Sequence, residues 1–144
     1  MVELKRYPAL DPAGKRQLVT IASGPVVIRD GKVLLDKHGD DDFWKFPGGK
    51  ARDDESFEET ACREAREELG IGVVLFGEPF IVTFTRQREG LTETVILFHY
   101  RASTDDEPKK QRDVRAFDWH DMDQLPEDCA PNVKAAVEAF RDQN

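Results

Sequence analysis

Glu64, Glu67 and Glu68 crowd into one short stretch of the chain, and carboxylates at that spacing can do chemistry together. On a helix of 3.6 residues per turn the three share one sector. Glu64 and Glu68 are then an i, i+4 like-charge pair, which disfavours a helix standing alone by a few tenths of a kcal/mol. They also border the apolar stripe of the same helix, so they are expected at the edge of the core rather than fully in water. A hard divalent cation would reconcile them, because magnesium takes carboxylate oxygens, carbonyls and waters as ligands. A solvated acidic face, with Arg63 and Arg66 as surface ion-pair partners, is the other reading that the helix alone permits.

The wider spacing narrows the choice. Gly49 is followed after five residues by Glu55, after seven more by Arg63-Glu64, and then by Glu67-Glu68 and Gly70-Ile71. Chance would produce these fixed positions on the order of once in ten million windows, even with each residue type given a tenth of the composition. The stretch Gly49 to Ile71 resembles the Nudix box, G-x5-E-x7-R-E-U-x-E-E-x-G-U, where U is a bulky aliphatic. Its surroundings resemble the family too. Phe46-Pro47-Gly48-Gly49 leads in, and Phe117-Asp118-Trp119 and Leu125-Pro126 follow, so the likeness runs from about residue 18 to the end. One position departs: the first U is Ala65, for which a packing adjustment rather than loss of activity is expected.

The resemblance implies an α/β/α sandwich with a mixed β-sheet and a Mg2+- or Mn2+-dependent hydrolase that cleaves a diphosphate linkage in a nucleotide-like substrate. It also implies that Glu64, Glu67 and Glu68 are metal ligands, that the carbonyl of Gly48 is another, and that Arg63 orients a glutamate by a charge-assisted hydrogen bond. Glu55 is expected to steady the loop and helix, and Gly49 and Gly70 to permit geometries that side chains would obstruct. Some members add a carboxylate from outside the box. Asp113, Glu107 and Glu93 are candidates for it, with a solvated acid as the alternative for each. A cation in such a site neutralises the diphosphate charge that repels an attacking hydroxide and lowers the pKa of a bound water. A nearby carboxylate can take the proton. Lys50, Arg52, Arg86 and Arg88 are candidate phosphate clamps, or else ordinary surface cations. Phe43, Trp44 and Phe46 could stack a base, with core packing beneath the glycine loop as the alternative for at least two of them. His38, His99 and His120 have no metal-ligand spacing and read as core or surface histidines. No nucleophile elbow and no Walker-type phosphate loop is present.

These residues need a frame. Ser56 with Glu59 forms a capping box, Phe57, Ala61, Ala65 and Leu69 recur at i, i+4, and Gly70 sits at the C-cap, so residues 56–69 predict a helix. Upstream, residues 18–28 predict a strand with a break at Gly24-Pro25, and Asp30-Gly31 predicts a hairpin into a return strand Lys32 to Lys37. Residues 38–42 read as a solvent loop. Downstream, residues 73–86 and 92–102 predict two strands about the turn Arg88-Glu89-Gly90, with Pro79 marking a bulge or edge in the first. A charged loop over 103–112, a strand Val114 to Trp119, a helical turn Asp121 to Leu125 and a final helix Ala130 to Arg141 complete the chain. Irregular alternation with hairpins indicates an α/β layered domain about a mixed sheet.

At 144 residues the chain suits one domain, read as residues 18–144 behind an N-terminal arm over 1–17. A net charge of −8 argues against binding of nucleic-acid polymers or anionic membranes, since both need a basic face. No apolar run reaches the length of a membrane helix, and Cys62 and Cys129 make no disulfide framework, so a reducing cytoplasmic setting is expected. A monomer and a homodimer both remain open. The intact box favours an enzyme over a non-catalytic nucleotide-sensing module. Residues 85–90 read TRQREG and lack the proline and tyrosine that mark relatives acting on ADP-ribose and diadenosine polyphosphates. Residues 34–46 lack the motif of coenzyme A pyrophosphatases. That leaves a nucleoside triphosphate as the first expectation and ADP-ribose or a nucleotide sugar as the second.

Overall fold

The spine of the molecule is one long strand, β2 (Arg16–Arg29), in a computed structural model that describes residues 9–10 and 16–141. On one side β2 runs parallel to β7 (Leu91–Ser103), in register from Gln17 with Thr92 to Val27 with Ala102. On the other side it changes partners. Ala22 and Ser23 pair with β4 (Gly49–Lys50), while Ile28 and Arg29 pair with β3 (Lys32–His38). The outer strand β8 (Val114–Asp121) lies antiparallel on β3. Two further strands, β5 (Val74–Leu75) and β6 (Phe80–Arg88), lie antiparallel on β7. Most of the expected N-terminal arm lies outside the described residues; of it, β1 (Ala9–Leu10) pairs with the start of β2.

Helices cover both faces. Helix α1 (Phe57–Leu69) has the predicted capping box at Ser56 and Glu59, and it ends on Gly70 in the left-handed conformation at φ 65°. Its stripe of Ala61, Ala65 and Leu69 is wholly buried. It shares a core with Val27, Leu34, Ile71, Ala102 and Val114. Helix α2 (Pro131–Arg141) starts on proline, whose missing N–H is harmless in a first turn. Its Val133, Ala136, Val137 and Phe140 pack with Val26, Val33, Leu35 and Phe46 on the opposite face. Neighbouring residues such as Val26 and Val27 therefore serve different cores, which is why the strands read as unbroken apolar runs. The result is the expected α/β/α sandwich with a mixed sheet. Ala65 is fully buried in the α1 core, so the small residue in the box is a matter of packing.

Four details differ from the sequence reading. The strand does not break at Gly24-Pro25; it continues, and that point is where its free edge passes from β4 to β3. Proline is tolerated there because that edge has no registered partner between Ser23 and Ile28. Residues 73–86 are not one strand, because Gly77 at φ 80° and Pro79 separate β5 from β6. The segment after Asp121 is a turn rather than helical. His38 belongs to β3 instead of a solvent loop, which carries its ring inward. The hairpin at Asp30-Gly31 is as predicted, with both residues at positive φ. Among the described residues no helix is long and apolar enough to cross a membrane.

Candidate active site

The site begins where the β2–β4 pairing presses a glycine loop against α1. A Cβ on Gly24 would lie 2.1 Å from the Pro47 carbonyl oxygen, so only glycine lets the loop cross β2 there. A Cβ on Gly49 would lie 2.8 Å from the carboxyl carbon of Glu64. The missing side chain of Gly49 is thus the space that Glu64 occupies. The Gly48 N–H donates to Glu68 Oε1 at 3.3 Å, and the Ser23 hydroxyl donates to the Phe57 carbonyl at 2.7 Å, tying helix and strand together. Glu64 and Glu68 are each 2% exposed, whereas Glu67 lies at the rim.

Arg63 organises this acidic sector. Its Nε donates to Glu55 Oε2 at 2.9 Å and its second terminal nitrogen to Glu55 Oε1 at 2.7 Å, a bidentate pair. Its first terminal nitrogen reaches Glu64 at 2.6 Å and Glu67 at 3.0 Å, and the Lys50 carbonyl accepts at 3.3 Å. Glu55 also accepts from the Arg52 amide and the Thr60 hydroxyl. The Arg63 guanidinium holds the Glu55 carboxyl down at about 2 against the opposing effect of burial. Glu67 meets Arg112 at 2.8 Å as well.

A second group joins Glu68 from β3. His38 Nε2 lies 2.7 Å from Glu68 Oε2 and 3.2 Å from Asp36 Oδ1. Burial pushes the Glu68 carboxyl upward, and the two carboxylates raise the His38 imidazole although its own burial opposes them. Asp36 is wholly buried, and neither of its oxygens nor Glu68 Oε2 has an aligned hydrogen-bond donor. Neither Asp36 nor His38 stood out in the sequence. Alternation along β3 puts both on one face, but nothing local says that Glu68 waits there.

Above the loop opens a cleft of about 760 Å3 between β6, β7 and the start of α2. Its walls include the Gly48–Gly49 loop, Phe43, Phe84, Leu97 and Asn132. Of the expected substrate contacts, Phe43, Lys50 and Arg86 line it. Arg52 does not: it stands 3.7 Å from Glu67 at the rim of α1. Trp44 does not either. It packs edge-on against His120 at 4.6 Å with the Lys37 ammonium over its ring. Phe46 is mostly core, 7% exposed, yet it also borders the cleft, edge-on to His99 at 5.4 Å. His99 and Asn132 are cleft residues that sequence patterning missed. His99 Nδ1 lies 3.1 Å from the Phe80 carbonyl, which can only accept, so the proton sits on Nδ1 and Nε2 accepts from the Asn132 amide at 2.8 Å. Burial lowers the His99 pKa, in keeping with a neutral ring.

None of the candidate extra carboxylates joins the group around Glu68. Glu107 pairs with Arg29 at 3.1 Å on the surface, and the Asp113 side chain is exposed. Glu93 is completely buried beneath the cleft and accepts from Thr20 at 2.5 Å and from Arg86 at 2.7 Å. Although burial works against ionisation, those donors lower its pKa. Arg88 stands 3.7 Å from the same carboxylate. Cys62 and Cys129 are free thiols.

Fold and site together define a class: a mixed-sheet α/β/α domain with a glycine loop, an acidic helix and an apolar cleft over them. A sequence model of the NUDIX domain matches residues 20–141, and the chain belongs to the Nudix family. It is 39% identical over 72 residues to a CTP pyrophosphohydrolase of Escherichia coli (strain K12), a match covering 45% of this chain and 50% of that protein. It is 55% identical over 31 residues to an 8-oxo-dGTP diphosphatase of Proteus vulgaris, covering 22% of this chain and 28% of that protein. The chain therefore spans half the length, or less, of these curated relatives in the matched regions. A crystal structure of a MutT Nudix hydrolase from Burkholderia pseudomallei aligns with a TM-score of 0.64 at 26% identity, covering 83% of this chain and 96% of that one.

Proposed function

We propose that this chain is a Mg2+- or Mn2+-dependent Nudix hydrolase that converts a nucleoside triphosphate to the monophosphate and pyrophosphate. One observation carries the reading: the apolar cleft, of a volume suited to a nucleoside, ends on the same Gly48–Gly49 loop against which Glu64 and Glu68 converge. The residues suit a divalent cation, since Asp36 and Glu68 keep buried oxygens without an aligned donor. Glu64, Glu67, Glu68 and the Gly48 carbonyl would hold it. Such a cation would supply charge neutralisation for the phosphates and acidify a water. The names of both curated relatives, a CTP pyrophosphohydrolase and an 8-oxo-dGTP diphosphatase, support the triphosphate class.

In this reading the base enters between Phe43 and Phe84, both partly exposed at the cleft. That seats the inner phosphates over the glycine loop. Lys50 and Arg86 face the same space and meet the phosphate charge. A water oxygen bonds to the inner phosphorus, the bond to the bridging oxygen breaks, and pyrophosphate leaves with the electron pair. Glu68 takes the water's proton. Arg63 and Glu55 are positioning residues that fix Glu64 and Glu67. Turnover of a nucleotide panel with Mg2+ or Mn2+, with products read by phosphorus NMR, tests this. Monophosphate plus pyrophosphate is expected. Orthophosphate plus diphosphate refutes the cleavage site. Turnover confined to ADP-ribose or nucleotide sugars replaces the substrate class, and no turnover at all points to a nucleotide-sensing module.

A further inference from the structure

Asp36 is a carboxylate at zero exposure in the middle of a strand, and burying an ion without full compensation costs several kcal/mol. Its main-chain groups are used in the bridge to Lys45, and neither side-chain oxygen has an aligned donor. Its neighbour across the gap, Glu68 Oε2, is in the same condition. His38 Nε2 sits between them, 3.2 Å from one and 2.7 Å from the other. A single N–H aims at one acceptor, so a protonated imidazole serves one of these oxygens well and leaves the rest wanting. A cation with several coordination positions would satisfy all of them together. One ligand atom from each of Asp36, His38 and Glu68 lies within 4.8 Å of the others; two ligand bonds of about 2.0–2.2 Å span at most about 4.4 Å, so a side-chain adjustment of a few tenths of an ångström closes the group on one ion.

We propose that Asp36 and His38 form, with Glu68, a divalent-cation site that contains an imidazole nitrogen and takes a first-row transition-metal ion such as Mn2+ in preference to Mg2+. It rests on the proposed function only through Glu68, which that reading also makes a ligand. Neither Asp36 nor His38 lies within the box; both come from β3, and they add one nitrogen to an otherwise all-oxygen set. Magnesium keeps oxygen ligands and waters, whereas first-row transition-metal ions accept imidazole, the later ones most readily and Mn2+ still more readily than Mg2+, so the nitrogen biases the choice of metal.

The probe is Mn2+ alone, added to the metal-free full chain and read by pulsed electron paramagnetic resonance and by equilibrium titration. The expected spectrum shows modulation from one directly bonded 14N, and His38→Gln abolishes it. Asp36→Asn should weaken Mn2+ binding by at least about 10- to 100-fold, the effect of losing even a residue that only supports a ligand. Mg2+ binding to His38→Gln should change far less than Mn2+ binding. The wild-type spectrum decides the matter even if a variant folds poorly. Bound Mn2+ without 14N modulation overturns this site and leaves the proposed function standing. Modulation that survives in His38→Gln overturns it as well, because the nitrogen then comes from elsewhere. Absence of any Mn2+ binding overturns this site, and turnover with Mg2+ then decides the proposed function separately.

Discussion

Replacing Gly49 with alanine should damage the site through one methyl group. The added Cβ would sit 2.8 Å from Glu64 Cδ and 2.9 and 3.0 Å from its two oxygens. Carbon–carbon contacts settle at about 3.5–4.0 Å, so the carboxylate must retreat by roughly 0.7–1.2 Å. Glu64 is 2% exposed and held by Arg63 at 2.6 Å, so it has no solvent to move into. Gly49 is outside the left-handed region, and alanine is therefore acceptable to the backbone; the conflict is steric and local. Overpacking of this kind costs about 1–3 kcal/mol. For a domain of this size that lowers Tm by roughly 2–12 °C, at about 2–4 °C per kcal/mol. Function should suffer more than stability. Metal ligands tolerate about 0.2 Å, and a displacement of about 1 Å can lower turnover on the order of 100-fold. Gly72→Ala is the control, because its Cβ would meet only Asp106 Oδ2 at an ordinary 3.5 Å. Thermal melting, Mn2+ calorimetry and steady-state turnover on a triphosphate should be compared for the two variants. Wild-type metal affinity and turnover in Gly49→Ala would show that activity does not depend on where Glu64 sits.

Arg63 and Glu68 should fail in different ways. Arg63→Ala strips the partner from Glu55 and Glu64, which should lower stability by about 3 kcal/mol and turnover with it. Arg63→Lys should restore little, since one ammonium cannot replace the fork on Glu55. Glu68→Gln should keep the fold yet lose about 10²–10⁴-fold in kcat, and the role assignment is reversed if it keeps most of kcat while Arg63→Ala abolishes turnover. Glu55 makes a separate prediction about pH. Its folded pKa of about 2 lies below the ordinary 4.5, so its contribution is complete above pH 4.5 and is lost as pH falls toward 2. The shift corresponds to about 3 kcal/mol at neutral pH. Urea denaturation of the wild type and Glu55→Gln should show a stability gap that closes between pH 4.5 and 2; a gap that stays constant through that window contradicts the pairing.

Helix α1 was legible in the chain from end to end, because its signals are local. Ser56 and Glu59 cap it, an i, i+4 stripe buries it, and Gly70 stops it within one turn of its last apolar residue. The Asp30-Gly31 hairpin and α2 were legible for the same reason. The sector shared by Glu64, Glu67 and Glu68 follows from helical geometry alone. Strand partners are a different matter. Whether Gly24-Pro25 ends a strand or marks a change of neighbour depends on Pro47 crossing β2, which no pattern around residue 24 encodes. Likewise Phe43 faces the cleft while Trp44 bridges to Cys129, and Arg86 turns toward Glu93 because β6 is registered on β7 with those two residues opposite. His38 and Asp36 reach Glu68 across 30 and 32 residues of chain, and the His99–Asn132 contact spans 33. Periodicity states which face a side chain takes on its own element. What it meets there is set by the packing of elements distant in sequence, and the polar groups gathered at this site come from β3, β4, β7 and both helices.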